Sequence, residues 1–181
     1  MITDRKKFLT VAGLGIFGAA MASPFSRDQE SSLKTEFAFK AEITLDKPME
    51  LGNTQHGNRR IIPITGGSFE GPGLKGVIVP GGADWQIVRD DGVAELEARY
   101  TFRTEDNVLI YVVNRGYRHG PPEVMQRLAK GETVDPKEYY FRSTPVFETS
   151  SDKYKWLTRY IFIATGERKP DRVVLDFYKL L

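Results

Sequence analysis

The chain has 181 residues, 40% hydrophobic and 28% charged, which suits one globular domain with a core of its own. It contains no cysteine, so disulfides, thiol catalysis, thiolate metal ligands and lipid attachment at a lipobox cysteine are excluded. The formal charge of +2 belongs to the N-terminus: residues 1–22 carry Arg5, Lys6 and Lys7 against Asp4, and beyond them acids and bases balance. A nucleic-acid partner, which needs a lasting cationic field, is therefore not expected.

Arg5-Lys6-Lys7, the weakly apolar stretch Phe8 to Ala20 and the small residues Ala20-Met21-Ala22 form the pattern of a signal peptide over residues 1–22. The stretch is too short and too rich in glycine for a membrane span. Cleavage before Ser23 would place the mature protein in the periplasm or outside the cell, with no membrane attachment after signal removal. Arg5-Lys6-Lys7-Phe8-Leu9 resembles the twin-arginine export motif with Lys6 in place of the second arginine, which leaves the export route open. Residues 23–33 read as a polar linker and 34–181 as a single domain.

From Phe37 the pattern is that of strands. Phe37, Phe39, Ala41, Ile43 and Leu45 alternate with mostly polar partners, and Ala94, Leu96, Ala98, Tyr100 and Phe102 alternate with Glu95, Glu97, Arg99, Thr101 and Arg103. Glu105-Asp106-Asn107 then turns the chain into Val108–Val113, making a hairpin. Further strands are expected at Arg60–Ile64, Leu74–Val79, Trp85–Val88, Tyr140–Glu148, Thr158–Ala164 and Val173–Tyr178. One helix is predicted from Pro122, with Glu123 in its first turn, Val124, Met125 and Leu128 on one face, and Lys130-Gly131 at its end. About eight short strands and one short helix, without strand–helix alternation, predict an all-β fold, a single antiparallel β-barrel, with a two-sheet sandwich as the alternative.

Seven of the seventeen glycines fall between Gly66 and Gly82, just before Ala83-Asp84-Trp85. Gly71-Pro-Gly73-Leu-Lys-Gly76 matches the spacing of a dinucleotide fingerprint, but Val77-Ile78-Val79 follows where a helix would be required. The glycines read instead as tight turns and barrel corners. With two histidines only, His56 and His119, in turn-like and loop-like settings, no metal site and no cofactor is called for. A hydrolase elbow is absent.

The candidates for chemistry are acids, phenols and guanidinium groups. Asp84 either caps a turn after its glycines or faces the barrel interior, where desolvation would raise its pKa and suit it to proton transfer. Tyr100, on the apolar face of its strand, brings a hydroxyl inside or reaches the rim. These two are the candidate catalytic residues. Trp85 offers a stacking wall, Arg142 and Glu148 share a strand face and pair with each other or anchor a ligand, and Tyr154 and Trp156 are further aromatic candidates for ligand binding.

Three stretches also carry a family resemblance: Arg60-Ile-Ile-Pro-Ile-Thr-Gly-Gly-Ser-Phe-Glu-Gly-Pro72, Val79-Pro-Gly-Gly-Ala-Asp-Trp-Gln86, and Tyr140-Phe-Arg-Ser-Thr-Pro-Val-Phe-Glu-Thr149, with Arg115-Gly-Tyr-Arg-His-Gly-Pro-Pro122 and Trp156-Leu157 beside them. They resemble the domain-of-unknown-function family numbered 3237, also called uncharacterised protein family 0311, from about Phe37 to Tyr178. The resemblance implies a compact barrel similar to lipocalin-like or allene-oxide-cyclase-like barrels and implies no reaction. Taken together, the residues point to an exported barrel that binds a small apolar or aromatic molecule. A cofactor-free isomerase, cyclase or lyase is the leading reading, with a non-catalytic carrier, or a structural or interaction protein whose barrel is filled by its own side chains, as alternatives and homo-oligomerisation left open.

Overall fold

The computed structural model describes residues 33–181, so the expected signal peptide and nearly all of the linker lie outside the described residues. Nine strands form one antiparallel sheet: β1 (Thr35–Leu45), β2 (Met49–Thr54), β3 (Gly57–Gly71), β4 (Leu74–Val88), β5 (Ala94–Thr104), β6 (Leu109–His119), β7 (Tyr140–Glu148), β8 (Phe162–Arg168) and β9 (Arg172–Leu180). Each strand from β3 to β9 pairs with the next in sequence, β9 pairs with β1, and β1 returns to β3, closing an eight-stranded barrel. Closure pairs the β1 and β3 edges that an open sheet would leave exposed. The ninth strand, β2, lies beside the first half of β3, whose second half is taken by β1.

Strand alternation decides what fills the barrel. On β5, Ala94, Leu96, Tyr100 and Phe102 are buried, as their spacing predicts, and β7 buries Phe141, Ser143, Pro145 and Phe147 with every intervening residue exposed. At one end six phenylalanines meet: Phe39 stacks on Phe177 at 4.4 Å and Phe69 on Phe102 at 4.3 Å, while Phe147 meets Phe162 edge-on at 5.2 Å. These rings make that end a dry plug. Helix α1 (Pro122–Ala129) lies in the β6–β7 connection at the opposite end, with Val124 and Leu128 buried.

The glycine-rich run differs from its expected form. Rather than separate short strands joined by glycine turns, β3 and β4 are 15 residues each and run through it, meeting at a turn around Pro72 and Gly73. Gly66 and Gly67, at φ 144° and 133°, sit where the β3–β4 register shifts between Ile64 and Ser68. The extra residue changes which parity faces inward: Ile62 and Ile64 are buried before the bulge, and Phe69 after it. A similar shift between Phe37 and Phe39 leaves Phe37 exposed, so it is not part of the inward series expected for β1. Three elements have no strong pattern to announce them: the polar strand β2, the 3-10 turn Pro136–Glu138, and the 3-10 helix Asp152–Thr158, which takes up the start of the strand expected at Thr158–Ala164.

Candidate functional site

Beyond the phenylalanine plug the barrel interior turns polar. Asp84, in the middle of β4 and opposite Ala98, projects inward and lines an internal cavity of about 50 Å³ with Tyr100, Asn114 and Ser143. Ile43, Ile64, Leu96 and Leu175 supply apolar wall. The setting is a strand and not a turn, so Asp84 does not cap a glycine corner. Its Oδ1 accepts the backbone N–H of Glu97 at 2.9 Å and its Oδ2 accepts Gln86 Nε2 at 2.9 Å. The first bond fills an interruption in the β4–β5 ladder between the Asp84–Ala98 and Ile87–Glu95 pairs. Burial raises the pKa of Asp84, outweighing these two bonds and the attraction of Arg118 and Arg60, which favour the anion.

The other cavity groups are buried and underused. Tyr100 is 2% exposed, and its Oη has no hydrogen-bond partner among the described residues; the same holds for Asn114 Oδ1 and Ser143 Oγ. Burial, with a contribution from the Asp84 charge, holds the Tyr100 phenol above its ordinary value, while the nearby Asn114 opposes the shift. Buried polar atoms are usually satisfied, so several orphans facing one small space mark a place built for something to bind.

Gln86, 1% exposed, connects this cavity to the barrel mouth. While donating to Asp84 it accepts from Arg60, through Nε at 2.6 Å and through Nη2. Arg60, Arg118 and Arg168 all line the mouth, a recess of about 850 Å³ with Ile62, Val88 and Leu128 among its apolar walls. Leu45 borders both spaces. Arg118 is 6% exposed and lies over the Phe141 ring at 5.9 Å. Burial and the neighbouring Arg60 and Arg168 bring its pKa down to about 10, so it stays charged at neutral pH.

Of the sequence candidates, the structure brings together Asp84 and Tyr100 and sends the other five elsewhere. Trp85, next to Asp84 in sequence, points to the outer face and lines an external groove with Tyr117, Tyr140 and Arg142. Arg142 sits over the Tyr140 ring at 5.4 Å on that same outer face. Glu148 is exposed at the end of β7 and forms no ion pair with Arg142 among the described residues. Tyr154 is buried beside the plugged end, where its Oη donates to Asp106 Oδ1 at 2.8 Å, and Trp156 packs near Phe162 with ring centroids 5.8 Å apart. His56 occupies the β2–β3 turn, and His119 ends β6 stacked on Tyr140. Gln86, Asn114, Ser143, Arg60, Arg118 and Arg168 are the interior polar residues that the sequence reading did not select. Parity was their signal: Asn114 and Arg118 continue the inward series of Ile110 and Val112, and Gln86 lies two residues from Asp84.

Comparison with known proteins agrees with this architecture. Residues 33–180 match the family model described as protein of unknown function DUF3237. A crystal structure of a conserved protein of unknown function from Rhodopseudomonas palustris is 43% identical, with a TM-score of 0.81 over 83% of this chain and 99% of that one. A β-barrel-like protein from Acinetobacter baumannii is 44% identical, with a TM-score of 0.74 over 86% of this chain and 100% of that one. More distantly, a structure described as an enzyme from Penicillium herquei shares the fold at 21% identity, with a TM-score of 0.62 over 82% of this chain and 95% of that one.

Proposed function

Since the chain belongs to the DUF3237 family, whose function is unknown, we propose from the chemistry of its interior that the barrel admits a small, largely apolar molecule at its mouth and carries out proton transfer on it at Asp84. The observation that carries this reading is the Asp84 carboxyl, its pKa raised by burial, on the wall of a cavity shared with three polar atoms that have no partner among the described residues. A carboxyl whose pKa is raised keeps its proton to higher pH, where it can donate it, and is a stronger base once ionised. Tyr100 and Ser143 supply hydroxyl donors where an oxyanion would develop on a substrate carbonyl. At about 50 Å³ the cavity suits a functional group or a few waters, so the body of the ligand occupies the mouth and only its reacting end reaches Asp84.

Isomerisation, cyclisation or elimination without a cofactor fits this equipment, because each needs one positioned acid or base and exclusion of bulk water. The enzyme from Penicillium herquei is compatible with a barrel of this kind hosting chemistry. Export to the periplasm or beyond is part of the reading and is supported by residues 1–22, which precede the family match.

A second reading, a non-catalytic carrier, is favoured by one observation: Asp84 also serves the fold by accepting the Glu97 N–H in the gap of the ladder. The substitution Asp84→Asn separates the two. Asparagine keeps an acceptor for Glu97 but presents an amide to the Gln86 amide, at a cost of about 1 kcal/mol in stability. The enzyme reading expects a folded variant that still binds the molecule copurifying with the wild type, identified by mass spectrometry, but turns it over at least about a hundredfold more slowly. A variant that binds normally, in a protein whose wild type leaves the molecule unchanged, assigns the barrel to carriage.

A further inference from the structure

We propose that the barrel mouth is an oxyanion site in which Arg118, flanked by Arg60 and Arg168, binds a carboxylate carried by the incoming small molecule. The inference rests on the small-molecule reading above and adds the charge class of the ligand. Arg118 carries most of the argument. Its side chain is 6% exposed, and its Nε lies buried without a hydrogen-bond partner among the described residues. A guanidinium in that position has lost water and gained no acceptor, an arrangement that is costly unless something supplies the missing contacts.

The neighbours deepen the deficit. Arg60 and Arg168 repel Arg118, and their own donors are engaged by neutral groups: Arg60 with Gln86 Oε1, and Arg168 Nη1 with the carbonyl oxygens of Arg172, at 3.0 Å, and Lys169. Asp84 attracts Arg118, but its oxygens are committed to Gln86 and Glu97, and burial favours its neutral form. Asp171, at the rim, is drawn to Arg172 at 3.0 Å. The recess is lined by Arg60, Arg118, Arg168, Lys47 and Lys130 against two carboxylates, Asp46 and Asp171, so positive charge is in excess. A carboxylate would accept from Arg118 in the planar, two-point geometry that guanidinium favours and would ease the mutual repulsion of the three arginines. The apolar wall of the mouth, including Ile62, Val88 and Leu128, would cover the rest of the molecule, and the recess volume of about 850 Å³ falls within the usual range for such ligands.

Benzoate and benzamide, equal in shape and different in charge, test the site on the full mature protein by calorimetry at fixed ionic strength. Expected are saturable benzoate binding at least about tenfold tighter than benzamide binding, and loss of that preference in Arg118→Gln. Arg60→Gln should weaken benzoate to a smaller degree. If Arg118→Gln fails to fold, the wild-type preference and its suppression by added inorganic sulfate decide the matter. Equal affinities for the two probes, or a benzoate preference that survives in a folded Arg118→Gln protein, would overturn the oxyanion site while leaving a small-molecule pocket in place. Absence of saturable benzoate binding would overturn it as well. The proton-transfer reading is judged separately, on Asp84→Asn with the copurified molecule.

Discussion

At Asp84 two sets of forces oppose one another. The Glu97 N–H, Gln86 Nε2 and the charges of Arg118 and Arg60 favour the anion, yet loss of water outweighs them and the pKa stands above its ordinary 3.8. A carboxyl with a raised folded-state pKa binds its proton more tightly in the folded chain than in the unfolded one. Its contribution to stability is therefore complete below about 3.8 and is lost as pH rises through the folded-state value. Asparagine at this position has no such dependence. The stability of the wild type relative to Asp84→Asn should accordingly fall as pH rises from about 3.5 towards neutrality and then level off, as read from urea unfolding at a series of pH values. A difference that grows with pH would mean that the hydrogen bonds and arginines prevail and that the carboxylate is stabilised in place.

At the scale of elements, the glycines between Gly66 and Gly82 are ladder devices more than turn residues. A Cβ on Gly67 would lie 2.0 Å from the carbonyl oxygen of Glu42, at a φ of +133°, whereas one on Gly81, at +108°, would meet nothing within 4 Å. Gly67→Ala thus combines backbone strain with a collision against β1 at the barrel closure, and a loss of about 3 kcal/mol or more is expected. Gly81→Ala carries the strain alone and should lose about 1–2 kcal/mol. Equal losses in urea unfolding would show that the β1–β3 seam adapts to the extra atom. The same contrast explains what was legible in the sequence. β5, β7 and α1 carry their burial in simple periodicity and emerge almost residue for residue. Periodicity fails across Gly66-Gly67 because the bulge reverses the inward parity of β3, while Pro80-Gly81-Gly82, at the register shift between Val79 and Ala83, makes β4 read as fragments. Ending the β6 pattern at Val113 hides Asn114 and Arg118, which continue its inward face and are two of the six further polar residues of the interior. Trp85 was drawn to the site by adjacency to Asp84, although neighbours on a strand face opposite ways.

Seen whole, the barrel is unequal along its axis, with phenylalanines closing one end and arginines opening the other. Everything assigned to the site, from Ile43 to Leu175, lies inside the segment shared with the family, and residues 1–32 precede it. Cleavage at the Ala20-Met21-Ala22 pattern predicts a mature chain beginning at Ser23, found in the periplasmic or extracellular fraction of the native host and recognised by intact mass. That species and the uncleaved chain should unfold within about 0.5 kcal/mol of each other, since both contain the core of the described residues, from Ala38 to Phe177. A dominant cytosolic species still beginning at Met1 would reject export, and a mature chain markedly less stable than its precursor would show that residues 1–22 add to the stability of the fold.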